Sequence, residues 1–382
     1  MSARGGLLLI SRNLPPLRGG MERLNARLAR ELASDRTVVV LGPKGTKIPQ
    51  SENMVVRTSP LGGVGGFLLW AAFVAAIESW RRRPAWVLGG SGLVAPVVWL
   101  AARAGHARSA IYVHGLDIVV DNAVYRHFWL PAIRRATRIV ANSRNTARLA
   151  VDAGIDSARV TVINPGVTLS GERQTDAGAF RAKYALGEGD LLLSVGRLTK
   201  RKGISSFVEH TFPSILRARP ETTLLVIGDD AQDALVVHGP SERARTLEIA
   251  ERLGMADRVR MLGPVSEDEL HAAYDASTVH VFPVRDVPGD VEGFGMVAIE
   301  AAAQGLPTVA FAAGGIPDAV ADGVSGRLVA SGDYEALAAA IIDVSEAGRQ
   351  VFDQPCRMFA AGFEWSLFGE KMRTILPLGG VS

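Results

Sequence analysis

Apolar and polar positions along this chain follow one repeating rhythm: a short apolar run, a turn, then a stretch with apolar residues at helical spacing. Leu7–Ile10 and Val38–Leu41 are β-type runs flanking an amphipathic helix over Glu22–Leu32. Trp86–Gly89, Ala110–His114 and Arg138–Ala141 continue the strand series. The second half repeats it at Leu191–Val195, Leu224–Ile227, Val259–Leu262, Val279–Phe282 and Thr308–Phe311. Short strands alternating with helices predict parallel sheets covered on both faces. Two such series predict an α/β protein of two doubly wound, Rossmann-like domains facing a cleft. Asn164–Ala177, rich in Gly, Ser and Thr, is the expected linker, which divides the chain into domains over residues 1–168 and 169–362. Gly62–Gly66 reads as a flexible loop and not a dinucleotide fingerprint, because no strand immediately precedes it.

Composition bounds this reading. A chain of 382 residues, 48% hydrophobic and 21% charged, suits two globular domains. The single cysteine, Cys356, cannot form an internal disulfide, and the seven histidines are scattered without zinc-ligand spacing. A reducing compartment and no metal site are expected. The first apolar run, Leu7–Ile10, is too short for a signal peptide. Phe67–Ile77 falls short of a bilayer span, and Ala85–Ala102 is interrupted by Gly89, Gly90, Gly92 and Pro96. They read as a helix face and a strand-turn-helix, so the chain is expected to be soluble or peripheral rather than spanning.

The net charge of +3 hides an asymmetry. Residues 1–170 hold 22 basic and 9 acidic side chains, a balance of +13, and the remainder carries −10. One domain is thus suited to an anionic surface or ligand. Trp80-Arg81-Arg82-Arg83 and the segment from Arg126 through Trp129 to Arg134-Arg135 mix basic and aromatic side chains, as the headgroup region of an anionic leaflet favours. A solvated basic face is the competing reading. No nucleic-acid motif accompanies the charge.

Two segments carry candidate chemistry. In Glu292-Gly293-Phe294-Gly295-Met296-Val297-Ala298-Ile299-Glu300, a helix predicted from Met296 to Ala303 begins at a Gly-Phe-Gly turn. Its backbone N–H groups and positive dipole end suit an anionic or polyhydroxylated ligand. In Ser194-Val195-Gly196-Arg197-Leu198-Thr199-Lys200-Arg201-Lys202-Gly203, Arg197 and Lys202 leave the carboxyl end of a strand, the edge where open α/β sheets bind ligands. A guanidinium and an ammonium on one loop make a clamp for a diphosphate. The bland alternatives are a buried helix with one exposed glutamate, and a solvated basic loop.

Taken together, Gly196-Arg197, Lys202-Gly203 and the Glu-x7-Glu pattern of Glu292 and Glu300 resemble the family-4 retaining glycosyltransferases of the GT-B fold. Gly19-Gly20-Met21-Glu22-Arg23 resembles that family's glycine loop, His114-Gly115 its strand-end histidine, and Asn164-Pro165-Gly166-Val167 its interdomain segment. Gly314-Gly315-Ile316-Pro317-Asp318 also fits, although the family more often has Glu where this chain has Asp318. Glu364-Trp365-Ser366-Leu367-Phe368 resembles the closing helix that crosses back to the first domain, here residues 363–382. The likeness runs from about residue 7 to about residue 375.

The resemblance implies transfer of a sugar from a nucleoside-diphosphate donor with retention and without metal or other cofactor. Arg197 and Lys202 would neutralise the departing diphosphate, helped by amides around Gly19 and Gly20. Glu300 would accept the ribose hydroxyls, while Glu292 with Gly293, Phe294 and Gly295 would hold the sugar. His114 would stand near that sugar, with Asp117 as a possible assistant; a lone histidine is otherwise a satisfied core residue. Asp286 and Asp290 read as a surface loop and not a metal motif. A helix rise over eight residues, about 12 Å, is far from the roughly 5 Å of a retaining glycosidase pair. Two other classes stay open: a sugar-nucleotide epimerase of the same architecture, and a non-catalytic nucleotide-sugar or lipid-binding protein. Charge asymmetry and apolar helices favour a lipid-linked saccharide acceptor on the cytoplasmic face of the plasma membrane. Arginine supplies 36 of the 42 basic residues, a hint of a GC-rich bacterial genome. Cell-surface polysaccharide or lipopolysaccharide assembly, with a mannose-like hexose, is the expected setting.

Overall fold

The computed structural model describes residues 6–17, 19–169, 176–230 and 241–378. Part of the expected linker, residues 170–175, lies outside them. The chain divides into two compact units. The first comprises Met1–Gly166, Gly289–Phe294 and Trp365–Ser382, and the second Val167–Pro288 and Gly295–Glu364. The sequence-based division at 168/169 assigned residues 289–294 to the second domain. In the structure these six residues group with the first, because Gly293 lies directly over the carbonyl of His114.

The first unit holds seven strands, β1 (Leu7–Ile10), β2 (Val38–Gly42), β3 (Met54–Thr58), β4 (Trp86–Gly89), β5 (Arg108–Val113), β6 (Arg138–Ala141) and β7 (Val160–Val162). They form one sheet in the order β3-β2-β1-β4-β5-β6-β7, parallel throughout. The β1 and β2 side chains are buried without exception, as helices on both faces require. Chain order reverses between β1 and β4, which makes their carboxyl ends the switch point where such sheets bind ligands.

Helices α1 (Gly20–Leu32), α2 (Gly63–Arg82) and α3 (Ala95–Gly105) belong to this unit. The expected loop at Gly62–Gly66 is instead the start of α2, with Gly62 as its N-cap. The helix therefore reaches 20 residues, longer than the apolar run read from sequence, and is long and apolar enough to cross a membrane by composition alone. Phe67, Ala71 and Ala75 turn inward and join a core shared with Val94, Val98 and Ala101. Its Glu78 is buried against Arg57 (3.0 Å) and Arg82 (2.6 Å). The closing helix, Trp365–Ile375, buries Trp365, Phe368 and Met372 within the first unit. Arg373 donates to the Glu31 carbonyl at 2.8 Å, and Trp86 Nε1 to the Pro377 carbonyl at 3.0 Å.

The second unit holds β8 (Leu191–Val195), β9 (Thr223–Ile227), β10 (Val259–Gly263), β11 (Val279–Phe282), β12 (Thr308–Phe311) and β13 (Gly326–Val329). The order is β10-β9-β8-β11-β12-β13, again parallel, with its switch point between β8 and β11. Strands β3, β7 and β13, absent from the sequence reading, are all sheet edges.

Candidate functional site

In the second unit, the β8 loop is pinned on two sides. Toward β9, the Gly196 N–H donates to the Ile227 carbonyl and that of Leu198 to the Asp229 carbonyl, both at 2.9 Å. Toward β11, the Arg285 N–H donates to the Arg201 carbonyl at 2.8 Å, and its guanidinium reaches Ser206 Oγ at 3.2 Å. Lys200–Lys202 form a 3-10 turn ended by Gly203 at φ +71. A side chain at Gly203 would collide with the Pro283 carbonyl oxygen. Arg197 is exposed and has no acidic partner among the described residues. Lys202 is half-buried, with its ammonium 4.6 Å from the centre of the Phe282 ring. Both predicted phosphate cations thus stand at the switch point, Arg197 with no carboxylate partner among the described residues and Lys202 over an aromatic face.

The Met296–Ala303 helix begins at Gly295, φ +92, with no side chain capping its first amides. The Ala298 N–H donates to the Gly295 carbonyl at 2.9 Å, and Gly295 offers no side chain to those of Met296 and Val297, which point as an anion-binding helix start does. Glu300 lies half-buried on this helix. Glu292 does not: it lies in the Gly289–Phe294 segment of the first unit, before the helix starts. A helical rise therefore does not describe the separation of the two glutamates. Phe294 and Gly295 are buried, so the Gly-Phe-Gly turn is open only at Gly293.

In the first unit, His114 directly follows β5 and is buried. Its Nε2 lies 2.9 Å from the Gly90 carbonyl oxygen. A carbonyl only accepts, so Nε2 carries the proton and a neutral ring presents Nδ1 as an acceptor. The His114 N–H donates to Asp117 Oδ2 at 3.0 Å, so that carboxylate holds the strand end. Gly293 sits where a side chain would strike the His114 carbonyl and the Asn142 amide, 2.5 Å away. His114 and the Glu292-Gly293 segment are therefore brought together. Gly19 precedes α1, but Glu22 occupies the first turn, its carboxylate against Gly19 and accepting from Asn13 Nδ2 at 2.9 Å. The amides around Gly20 thus already have a carboxylate beside them.

A row of polar residues, of which the sequence reading singled out only His114, lines the strand ends. Ser11 follows β1, Ser91 lies two residues beyond β4, His114 follows β5 and Asn142 follows β6, four adjacent strands. Asn25 Oδ1, Ser91 Oγ, Asn142 Oδ1 and Tyr125 OH are buried without a hydrogen-bond partner. Burial, and the charge of Asp117 in addition, push the Tyr125 phenol above its ordinary pKa, so it remains a donor. Unpaired buried polar atoms in one region are costly unless a polar ligand completes them. The signal in the sequence was a polar residue placed just after each apolar run. Among the described residues no group of His, Cys, Asp and Glu is assembled that could hold a metal ion.

Two family models match the chain: Glycosyltransferase Family 4 over residues 18–170 and Glycosyl transferases group 1 over residues 176–357. The chain belongs to glycosyltransferase family 4. One relative of this glycosyltransferase is the GDP-mannose-dependent alpha-(1-6)-phosphatidylinositol monomannoside mannosyltransferase of Mycolicibacterium smegmatis, 29% identical over 96% of this chain and 95% of that protein. Another is D-inositol 3-phosphate glycosyltransferase 2 of Catenulispora acidiphila, 36% identical over 60% of this chain and 53% of its own length. Among solved structures, Anabaena HepE in complex with UDP and glucose superposes with a TM-score of 0.77 at 19% identity, covering 97% of this chain and 99% of that one. Sucrose-phosphate synthase from Thermosynechococcus elongatus gives 0.77 at 22% identity, covering 97% and 98%. These likenesses show the GT-B fold, with its two parallel-sheet, Rossmann-like units.

Proposed function

We propose that this glycosyltransferase moves a mannose-like hexose from a nucleoside-diphosphate donor to a lipid-linked saccharide, with retention and without a metal ion. The observation that carries the reading is the pairing of Arg197 and Lys202 on the loop that follows β8. Departure of the diphosphate builds negative charge that fixed cations answer without reorganising. Arg197 would take phosphate oxygens bidentately, with Lys202 as the second cation and the uncapped start of the Met296–Ala303 helix adding dipole. Glu300, one turn further along that helix, would accept the ribose hydroxyls. In the first unit, Glu292 and His114 would hold the transferred sugar, the imidazole through Nδ1. The unpartnered polar atoms of Ser91, Asn142 and Tyr125 suit hydroxyl groups of a saccharide.

A lipid-linked acceptor, met at the cytoplasmic face of an anionic membrane, is supported by α2. Leu69, Phe73 and Trp80 are 75%, 70% and 60% exposed. At about 100° per residue these three fall within roughly 40° of one another, opposite the buried face. Arg81 and Arg83 are exposed at the end of the same helix, whereas Arg82 is paired with Glu78. An apolar stripe ending in tryptophan, on a helix ending in arginine, suits an anionic leaflet. The phosphatidylinositol monomannoside substrate in the name of the mycobacterial relative supports the same acceptor class, and its GDP-mannose supports the hexose. The test is incubation with radiolabelled GDP-mannose and UDP-glucose, in excess EDTA, with membrane lipid extract or free inositol phosphate. Label in lipid with the donor's anomeric configuration supports the proposal. Interconverted donor sugar would indicate an epimerase, label in inositol phosphate a soluble acceptor, and loss of transfer in EDTA a metal requirement.

A further inference from the structure

Phe282 is the last residue of β11 and is buried, with two other elements of the second unit and its own strand neighbour His280 against its ring. The Lys202 ammonium lies over one face, 4.6 Å from the centroid. The ring's edge faces Gly295, where an added side-chain carbon would stand 2.8 Å from Phe282 Cε1. His280 stacks on the ring with centroids 5.7 Å apart and planes inclined by 28°. Its Nδ1 is bonded to Thr308 Oγ1 at 3.0 Å. Burial, with the nearby Lys202 charge as a second cause, lowers the pKa of His280 to about 3, so the imidazole beside the ring is neutral near pH 7.

We infer that Phe282 is a positioning residue, which holds the Lys202 ammonium by its π face and the start of the Met296–Ala303 helix by its edge, so that cation and helix amides meet one diphosphate. The inference rests on the clamp reading of Lys202 given above. A lysine on a four-carbon stem has many rotamers, and a diphosphate gains most from one already in place. The aromatic face attracts the ammonium and carries no net charge of its own. Gly295 lets the helix start come into contact with the ring. A neutral imidazole stacked on the ring completes the arrangement without opposing the lysine.

The experiment replaces Phe282 with a trifluorinated phenylalanine, which keeps ring shape but withdraws the negative potential of its face. The full chain is titrated calorimetrically with UDP, GDP, uridine and guanosine. Expected is diphosphate binding about three- to tenfold weaker, with nucleoside affinity and thermal midpoint unchanged. In a Lys202→Ala background the same fluorination is expected to have no effect. Diphosphate affinity equal to wild type, or the same loss in the Lys202→Ala background, overturns the positioning role. If Lys202→Ala itself binds diphosphate like wild type, the clamp reading fails instead. A wild type that binds neither diphosphate removes the donor class and the inference with it.

Discussion

Replacing Gly203 by Ala isolates what close packing of the phosphate loop contributes. Gly203 has φ +71, and an added side-chain carbon would lie inside 3.0 Å of the Pro283 carbonyl oxygen and 3.1 Å from Arg285 Cγ. Gly254 has φ +69 with nothing within 4 Å, so it supplies a matched control in the same unit. Gly254→Ala meets only the left-handed backbone penalty, about 1–2 kcal/mol. Gly203→Ala meets that penalty and an overlap with backbone, which adds about 1–3 kcal/mol for a rigid neighbour. The overlap is relieved only if the loop moves off β11 by on the order of 1 Å, and Lys202 moves with it. A displacement of that size costs on the order of 100-fold in function. Denaturant unfolding and diphosphate calorimetry on both variants provide the comparison. Expected is a stability about 2 kcal/mol lower for Gly203→Ala than for Gly254→Ala, with diphosphate binding impaired only in the former. Equal destabilisation of the two, or unimpaired binding in Gly203→Ala, refutes the argument.

Further outcomes follow from the same geometry. Arg197→Ala and Lys202→Ala should each lower turnover by about 100-fold or more; a double variant with near-normal transfer would show that other groups carry the leaving-group charge. Glu300→Ala should weaken binding of the bare nucleoside diphosphate, whereas Glu292→Ala should spare it and depress transfer; equal affinity losses in calorimetry would mean the roles are not divided so. The wild type should bind anionic but not neutral vesicles and release them at high salt, and a Phe73→Ser, Arg81→Ser, Arg83→Ser variant should lose that binding while keeping donor affinity; vesicle binding equal to wild type would make the stripe an ordinary surface. His280 has its pKa lowered to about 3 by burial, so below the unfolded value near 6.5 the unfolded chain takes up a proton that the fold refuses. Stability should therefore fall as pH drops from about 6.5 toward 3, more steeply than in His280→Gln; parallel pH curves for the two proteins would contradict this.

The legible parts of the fold were those whose burial is complete. Strands β1, β2, β8 and β11 are covered on both faces and therefore read as runs that are apolar but for Ser194 and His280. The strands that escaped, β3, β7 and β13, lie at sheet edges and carry exposed or half-buried polar residues such as Arg57, Thr161 and Arg327. The glycines of Gly62–Gly66 read as a loop because their low helix propensity outweighed the apolar run beyond them. Among candidate site residues, Arg197, Lys202, Glu300 and His114 could be singled out because each follows a strand end or lies at a motif spacing. Phe282 was hidden inside an apolar run, where an aromatic ring has no signature apart from packing. Ser91, Asn142 and Tyr125 were missed because single polar residues gain meaning only when sheet order makes their strands neighbours.

The first unit is discontinuous in the chain, and this bears on how it is made. Arg36 donates to the Leu376 carbonyl at 2.6 Å and Arg108 to that of Pro377 at 2.8 Å, bonds between residues some three hundred positions apart. Tyr112, fully buried, has its ring 6.3 Å from that of Phe368. During synthesis the amino-terminal sheet leaves the ribosome first, yet it lacks its last helix until the whole second unit has been translated. A nascent chain paused there would expose the apolar seat awaiting Trp365, Phe368 and Met372. The second unit, needing only Val167–Pro288 and Gly295–Glu364, is complete earlier. The half of the protein that is born first is thus the half that finishes folding last, and loss of a few carboxyl-terminal residues would be felt at the amino-terminal sheet.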